Sequence, residues 1–417
     1  MARSVLVIYP HWPPSNLVGV HRVRLLVNEM PDLGWSPIVL TVHEDDYEEP
    51  HATGSEALVV KDIEVIKVRA RKPLKIAGTR LVGDIGLRAW SALRTKAFEL
   101  ASTRDINFVW FSLPSWYPCL FGPALNRKFG IPYAMDYQDP WVHDVAEQYK
   151  WYHRAQWTVR LARFLEPKAL RRVAFLSAIN QDYMAGPVAR HQRIQGLPNL
   201  EVQLGFSQRD HEAAPTDIQP PWPSDKKVIL YAGAYWEQGA PLFRELLEAL
   251  AEVKGSTDIN PDFHFAFIGT GHPRLPSIQS IIDELGLSGM ASEYPERIPY
   301  LNVLSLLNQS WATMVIGSTA AHYSASKVFQ LLLAEKPILG YFHPASEGRE
   351  ILQDCDADSY FSPYLSEDET ARKAELRSNM LKLLARPVDW TPNLAPLNQH
   401  SSASAARKLV NTFESCL

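Results

Sequence analysis

Short apolar runs alternate with longer amphipathic stretches along this chain, and this alternation restricts the possible folds most. Strand-length runs separated by helix-length segments are typical of βαβ units around a parallel sheet. In the first half, such runs cover 4–10, 36–42, 63–69, 107–113, 132–137 and 173–179. In the second half, they cover 227–233, 263–269, 296–300, 312–317 and 336–342. Helical periodicity covers 20–30, 241–254, 277–285 and 401–413. The sequence therefore predicts an α/β protein with two mostly parallel sheets.

A proline-rich segment separates the two series of runs. Residues 212–225 contain four prolines, which stiffen a connector and are incompatible with a helix interior or a central strand. The chain has 417 residues, which is enough for two domains of roughly 200 residues each. We therefore predict an N-terminal domain and a C-terminal domain, followed by a tail helix that packs back toward the N-terminal domain. The predicted bounds are 1–211 for the first domain, 212–225 for the linker, 226–390 for the second domain and 391–417 for the tail.

Charge and cysteine content narrow the class of protein. The net charge of −4 does not favour a nucleic-acid partner. The three cysteines are widely spaced and form no Cys-x-x-Cys pair, which indicates a reducing compartment and no structural zinc. No apolar run approaches the ~20 residues of a membrane-spanning helix, and the first strand starts at Ser4 with no signal-peptide pattern before it. We therefore expect a cytoplasmic protein without a metal site.

The turn after the first predicted strand holds three candidate ligand-binding residues, Gly19, His21 and Arg22. Ligands of open α/β sheets bind where strands end and helices begin. The turn has a single glycine instead of the G-x-G-x-x-G pattern of dinucleotide-binding proteins, so an NAD-dependent enzyme is disfavoured. An ordinary βα loop with solvated arginines is the alternative.

A dense group of polar and aromatic residues follows the strand predicted at 132–137. Its members are Asp136, Gln138, Asp139 and Trp141. Carboxylates and amides bind sugar hydroxyls, and a tryptophan ring stacks on a sugar ring, so the group is a candidate acceptor site. A plain turn or helix cap at Asp139 is the alternative.

Two strand ends of the second half predict a phosphate site. Gly233 and Glu237 lie in the loop after the first strand there, and Gly269 and Thr270 lie in the equivalent loop one βα unit later. Glycines allow backbone amides to approach a phosphate closely, although a glycine often marks only a turn.

The segment 322–352 is the most informative. Ser324, Ser326 and Lys327 precede an apolar helical pattern that contains Gln330. A helix N-terminus with small residues and one lysine favours a diphosphate, because the amide dipoles and the ammonium group face the anion. A helix with an exposed lysine is the alternative.

Five segments resemble, in order, the motifs of family 4-like glycosyltransferases with the GT-B fold. SASKVFQLLLAEKPILG at 324–340 resembles their donor-site helix, written "SK[LV]FEYLAAGKPI". The turn at 9–26 resembles the opening "FPP…G..R", and PYAMDYQDPW at 132–141 resembles "P..DFRDPW". The segments 171–200 and 297–311 resemble the "AD.I..+S … +PNG" and "+P..E.+.+…ADV" motifs. The resemblance covers nearly the whole chain.

This resemblance implies two Rossmann-like doubly wound domains that face a central cleft. The acceptor would bind the N-terminal domain, and a UDP- or GDP-linked sugar would bind the C-terminal domain as co-substrate, without a cofactor or metal. The enzyme would be a retaining hexosyltransferase acting on a glycan or lipid-linked acceptor in surface polysaccharide synthesis. Ser326 and Lys327 would hold the diphosphate, and Arg297, Ile298 and Tyr300 would face the base. We predict Asp139, His322 and Lys327 as the catalytic residues.

The chain departs from the family pattern at the donor site. His322 and Gln330 occupy the positions of two carboxylates in the family, Leu200 replaces a glycine, and the loop 231–241 has no cation. Gln330 can still bind ribose hydroxyls. Two other functions therefore remain open: a catalytically degenerate protein that binds a nucleotide-sugar or a partner, and a nucleotide-sugar epimerase.

The segment 150–172 combines seven lysines and arginines with a single acidic residue, Glu166, and four aromatic residues. A basic amphipathic helix of this kind is typical of peripheral contact with an anionic membrane, here the inner face of the cell membrane. The alternative is a helix that packs its aromatic residues on the sheet and leaves a solvated basic face.

Overall fold

The chain forms two compact units in the computed structural model. The first unit comprises Met1–Gly205 and His400–Leu417, and the second comprises Phe206–Gln399. The division therefore lies at residue 205, whereas the sequence places it at residue 211, and the proline-rich segment 212–225 belongs to the second unit. The structure describes residues 3–49, 51, 54–76, 79–142, 150–203, 205–254, 262–318, 327–365, 368–385 and 390–417.

The first unit is built on a seven-stranded parallel sheet with the order β3-β2-β1-β6-β7-β8-β9. A two-stranded antiparallel ribbon, β4-β5, accompanies it. The strands are β1 Arg3–Ile8, β2 Trp35–Val42, β3 Glu64–Val68, β4 Leu74–Ile76, β5 Thr79–Val82, β6 Phe108–Ser112, β7 Tyr133–Tyr137, β8 Phe175–Ala178 and β9 Asn199–Glu201. The helices are α1 Val18–Glu29, α2 Ile85–Arg88, α3 Trp90–Thr103, α4 Gly122–Phe129, α5 Arg154–Ala169, α6 Asp182–Arg190 and, from the C-terminal segment, α14 Ser402–Ser415.

The C-terminal helix α14 completes one face of the first sheet. Phe413 is fully buried there, and its ring stacks on Phe108 with the centroids 4.5 Å apart. The same ring lies 5.3 Å from Trp35 and 5.9 Å from Phe175. Helices α1 and α14 therefore cover this face together, because α1 contributes Val23 and Val27 to the same apolar cluster.

The second unit contains a six-stranded parallel sheet with the order β12-β11-β10-β13-β14-β15. Its strands are β10 Lys227–Ala232, β11 Phe263–Ile268, β12 Ala291–Tyr294, β13 Ala312–Ile316, β14 Ile338–Phe342 and β15 Phe361–Pro363. Its helices are α7 Gln208–Glu212, α8 Ala240–Lys254, α9 Ile278–Glu284, α10 Tyr300–Gln309, α11 Val328–Leu333, α12 Glu347–Asp354 and α13 Glu369–Leu384.

Both sheets have the doubly wound pattern. The strand order reverses beside β1 in the first unit and beside β10 in the second. In sheets of this kind, ligands usually bind between the loops that follow the strands at this reversal. The predicted fold class, α/β with two Rossmann-like sheets, is confirmed.

One predicted strand is wrong. Residues 296–300 form no strand, and the edge strand β12 lies just before them at Ala291–Tyr294. Pro295 and Pro299 flank this segment and have no N–H group for a sheet ladder, and Pro299 precedes the first turn of α10 as its N-cap.

Candidate functional site

Three loops lie side by side at the carboxyl edge of the second sheet. The Gly233 amide donates a hydrogen bond to Ile268 O at 2.9 Å, and the Gly269 amide donates to Tyr294 O at 2.9 Å. The loops after β10, β11 and β12 are therefore adjacent, because each amide continues the ladder beyond its strand. Gly269 has φ = 75°, a conformation that favours glycine.

Lys327 reaches this edge from the segment before α11. Its Nζ donates a hydrogen bond to the Tyr231 hydroxyl at 3.2 Å and lies 5.1 Å and 5.8 Å from the ring centroids of Tyr231 and Trp236. A Cβ atom on Gly233 would lie 1.9 Å from this Nζ. Gly233 is therefore required for the lysine to occupy its position above the loop after β10.

The environment of Lys327 disfavours its positive charge. Burial, together with the charge of Arg297, lowers the pKa of Lys327 to about 8. Among the described residues, no carboxylate forms an ion pair with Lys327 or with Arg297. Two cations without a neutralising carboxylate in the described part of the site favour binding of an anion at this edge.

The other predicted donor-site residues lie in different environments. Thr270 is buried and donates to Glu293 at 2.7 Å, so it positions the loop after β11. Glu237 and Arg297 are exposed, and Gln330 lies on α11. Ile298 and Tyr300 are partly buried and pack against an apolar cluster of the second unit. His322, Ser324 and Ser326 lie outside the described residues.

In the first unit, Arg22 and Asp136 form a buried ion pair. The Arg22 guanidinium donates to both carboxylate oxygens of Asp136 at 2.9 and 2.7 Å and to the carbonyl of Val202. Asp136 also accepts hydrogen bonds from Ser112 at 2.9 Å and Ser177 at 2.8 Å. Arg22 is 1% exposed and Asp136 is 0% exposed, so the network does not face solvent. Its hydrogen bonds connect α1 to the carboxyl ends of β6, β7 and β8.

The remaining predicted acceptor residues lie on α1 or follow β7. Gln138 donates to Ser112 at 2.8 Å, and a Cβ atom on Gly19 would lie 2.4 Å from the Tyr9 hydroxyl and 2.5 Å from Gln138 Oε1. Gly19 therefore allows the first turn of α1 to approach β7. Trp141 is buried and stacks on Trp116 with the ring centroids 5.5 Å apart, whereas Asp139 is exposed and His21 is partly buried.

Sequence reasoning missed Tyr231 and Trp236 as partners of Lys327. Tyr231 lies inside an apolar strand run and Trp236 in a loop, and no spacing rule connects either residue to a lysine about ninety positions away.

The comparisons with solved structures identify the class of fold. The chain is similar to the UDP-forming α,α-trehalose-phosphate synthase of Burkholderia xenovorans, with a TM-score of 0.57 and 12% identity over 100% of this chain and 99% of that one. Anabaena HepE in complex with UDP and glucose has a TM-score of 0.54 and 14% identity, with 99% of this chain and 100% of that one covered. Sucrose-phosphate synthase from Thermosynechococcus elongatus has a TM-score of 0.52 and 13% identity, with coverages of 99% and 96%.

These likenesses extend over both units, and they show that the chain has the fold of the GT-B glycosyltransferases. No family model matches the chain, and no curated protein does. The assignment to family 4 within this fold stays a prediction. Within the described residues, none of the helices has the length and hydropathy needed to cross a membrane.

Proposed function

We propose that this protein is a glycosyltransferase whose nucleotide-diphosphate-sugar donor binds at the carboxyl edge of the second sheet. The observation that carries the proposal is Lys327, a desolvated cation held above Gly233 with a second cation, Arg297, nearby. A diphosphate would supply the negative charge that the described part of the site lacks. The solved structures of HepE with UDP-glucose and of an E. coli protein with UDP-2-fluoro glucose support a UDP-linked donor.

The chemistry follows from this placement. As the bond between the sugar and the diphosphate breaks, negative charge grows on the departing diphosphate. A fixed ammonium group beside that position stabilises the charge without reorganisation. We propose transfer without a metal and with retention at the anomeric carbon, to a glycan or lipid-linked acceptor in polysaccharide synthesis. Asp139 and His322 stay predicted catalytic residues.

Calorimetric titration with UDP tests the donor site. We expect Lys327→Ala to weaken UDP binding by about 10- to 100-fold, because a hydrogen bond between charged groups is lost. Lys254→Ala, at the exposed C-terminal end of α8, is the matched control and should bind UDP like the unmodified protein. Equal UDP affinity for Lys327→Ala and Lys254→Ala would contradict the proposed donor site.

Turnover assays distinguish the three functions that the sequence leaves open. UDP release from UDP-glucose that requires an added acceptor identifies a transferase. Conversion of the sugar without an acceptor identifies an epimerase. UDP-glucose binding without any turnover, across a panel of acceptors, identifies a non-catalytic relative.

We also propose that α5 brings the protein to an anionic membrane, where a lipid-linked acceptor lies. Trp157, Leu161 and Phe164 form a stripe on this helix and are 56%, 44% and 61% exposed. The buried residues Val159 and Ala162 lie on the opposite side of the helix. The two aromatic side chains of this stripe are therefore exposed, which supports the proposal.

The charges around this stripe match an anionic surface. Arg160, Arg163 and Lys168 are exposed, whereas Glu166 is buried and paired with Arg190 at 2.9 Å. Each basic residue near an anionic bilayer contributes about 1 kcal/mol of binding. Exposed aromatic residues with basic neighbours are typical of helices that lie in a membrane interface.

Vesicle sedimentation tests the membrane surface. We expect the protein to bind vesicles that contain phosphatidylglycerol more strongly than vesicles of phosphatidylcholine alone, and high salt should weaken this binding. The double variant Trp157→Ala/Phe164→Ala should lose it. Leu365→Ala removes an exposed apolar side chain of the second unit and should bind normally. Binding that ignores lipid charge and salt would exclude this role for α5.

A further inference from the structure

A cavity of about 360 Å³ lies at the carboxyl edge of the first sheet, apart from the residues that the sequence predicts for the acceptor. Its size lies within the range of small-ligand pockets. Three segments line it: the loop after β1, the loop after β2, and α2 with the residues before it. The lining residues are His11, Glu48, Glu49, Gly83, Asp84, Ile85 and Arg88.

Glu49 is fixed as a carboxylate in this lining. His11 Nδ1 lies 2.7 Å from Glu49 Oε1, and the Ser15 hydroxyl donates to the same oxygen at 2.6 Å. Burial opposes ionisation of Glu49, but the hydrogen bonds from His11 and Ser15 outweigh it and lower its pKa to about 2. The cavity therefore presents a permanent hydrogen-bond acceptor at this point.

Asp84 supplies a second acceptor. Its Oδ1 accepts from the Leu87 amide at 2.8 Å and from the Ser115 hydroxyl at 3.2 Å, and Oδ2 lies 3.5 Å from the same hydroxyl. Burial raises the pKa of Asp84, and the bond from Leu87 offsets part of this effect. Oδ2 therefore keeps capacity for a further hydrogen bond.

Arg88 provides the donor. Its side chain is 4% exposed, and its terminal nitrogens donate to the carbonyls of Arg71 and Asp46, both at 3.0 Å. Nη2 also lies 3.4 Å from Glu48 Oε2. Nη1 carries two hydrogens and makes one hydrogen bond among the described residues, so it keeps one N–H group for a further acceptor.

The balance of charge in the lining selects the ligand. Three carboxylates face one guanidinium and one imidazole, which disfavours a phosphate or a carboxylate. In the described part of the chain, no group of three His, Cys, Asp or Glu side chains is arranged to hold a metal ion. Fixed acceptors beside a donor match a neutral ring with several hydroxyl groups, because a hydroxyl both donates and accepts.

We propose that this cavity binds one neutral sugar ring, with Glu49 and Asp84 accepting hydrogen bonds from its hydroxyl groups and Arg88 donating to one of its oxygens. The assignment of this ring to the acceptor rests on the proposed glycosyltransferase function. The binding of a sugar ring in this cavity does not rest on that function, because it depends only on residues of the first unit.

Saturation-transfer difference NMR with the full chain tests the cavity. The probes are the methyl α-glycosides of glucose, galactose and mannose, each measured with and without UDP. Glucose 6-phosphate and glucosamine serve as an anionic and a cationic counterpart. We expect at least one neutral glycoside to bind better than both charged sugars.

Asp84→Asn is the principal variant, because asparagine caps a helix as well as aspartate does. It should weaken glycoside binding at least about tenfold, since a neutral amide oxygen is a weaker acceptor than a carboxylate. Asp368→Asn makes the same change at the N-cap of α13 in the second unit and should bind normally. Glu49→Gln, on another segment of the lining, should repeat the loss if Asp84→Asn proves unstable.

The outcomes separate this proposal from the donor site. Glycoside binding without UDP binding would leave the cavity as a sugar site and refute the proposed function. UDP binding without any glycoside binding would overturn the cavity alone. Preferred binding of glucosamine or glucose 6-phosphate, or undiminished glycoside binding by both cavity variants, would also overturn it.

Discussion

Asp136 accepts hydrogen bonds from Arg22, Ser112 and Ser177 inside the first unit, and no part of its side chain is exposed. Loss of one member of a buried ion pair leaves the other charge without compensation, at a cost of about 3–5 kcal/mol. We therefore expect Asp136→Ala to lower the free energy of unfolding by that amount, measured by urea denaturation. Asp139→Ala, three positions further on, should change it by less than about 0.5 kcal/mol, because Asp139 is exposed.

A double variant checks the reason for this loss. If the uncompensated charge causes it, Arg22→Met/Asp136→Leu should be more stable than Asp136→Ala, because no buried charge remains. A double variant as unstable as Asp136→Ala would show that packing around the pair, and not its charge, controls stability. Transfer activity that falls in Asp139→Ala without loss of stability would support the predicted catalytic role of Asp139.

The pKa of Lys327 gives the proposed donor site a pH dependence. Its pKa of about 8 lies below the ordinary value of 10.5, so the free protein loses this charge as the pH rises through about 8. A diphosphate binds the charged form, and UDP affinity should therefore fall about tenfold between about pH 7 and about pH 9. Calorimetry at several pH values measures this, and the residual binding of Lys327→Ala should stay constant over the same range.

Individual site residues differ in how well the sequence predicts their surroundings. Lys327 stays a predicted diphosphate ligand, because a lysine before an amphipathic helix is also found as an ordinary exposed side chain. Arg22 and Asp136 were predicted as acceptor ligands, yet the structure encloses them in each other's hydrogen bonds, and no local pattern distinguishes a buried pair from an exposed one. His11, Glu49 and Asp84 come together only through the sheet order, so spacing in the sequence gives no sign of their cavity.

Helix α14 stabilises the first unit from a distant part of the chain. Phe413 packs against Trp35, Phe108 and Phe175 in the interior. Truncation of a fully buried phenylalanine costs about 3–5 kcal/mol, so Phe413→Ala should lower the urea midpoint of the first unit. Lys408→Ala, on the exposed side of the same helix, should leave the midpoint unchanged. Equal midpoints for these two variants would show that α14 contributes little to the core.

Elements were predictable where their hydrophobic pattern is long and uninterrupted. The runs at 36–42 and 227–233 correspond to β2 and β10, and the periodicity at 241–254 corresponds to α8. Strand β12 was misplaced because its four residues, Ala-Ser-Glu-Tyr, hold little apolar material, whereas the following segment contains Ile298 and Tyr300. Those two side chains are partly buried and pack against an apolar cluster of the second unit.

For the whole molecule, the proposed donor site implies that UDP contacts the second unit. UDP should slow amide hydrogen exchange in the loops at 231–240, 267–271 and 295–300, because bound ligand stabilises the folded form of the unit that contacts it. Exchange within β1 and β6 of the first unit should change much less. Mass spectrometry of peptides after exchange measures both. Protection confined to the first unit would contradict a nucleotide site in the second unit.

The discontinuity of the first unit also affects the order in which the protein forms during translation. Strands β1, β2, β6 and β8 emerge from the ribosome long before residues 402–415, which cover their apolar face. The second unit is continuous in sequence and can form its sheet while Trp35 and Phe108 still lack the ring of Phe413. Nascent chains halted near residue 400 should therefore expose this surface to chaperones, and the first unit should reach its native state after the second, in reverse of the order of synthesis.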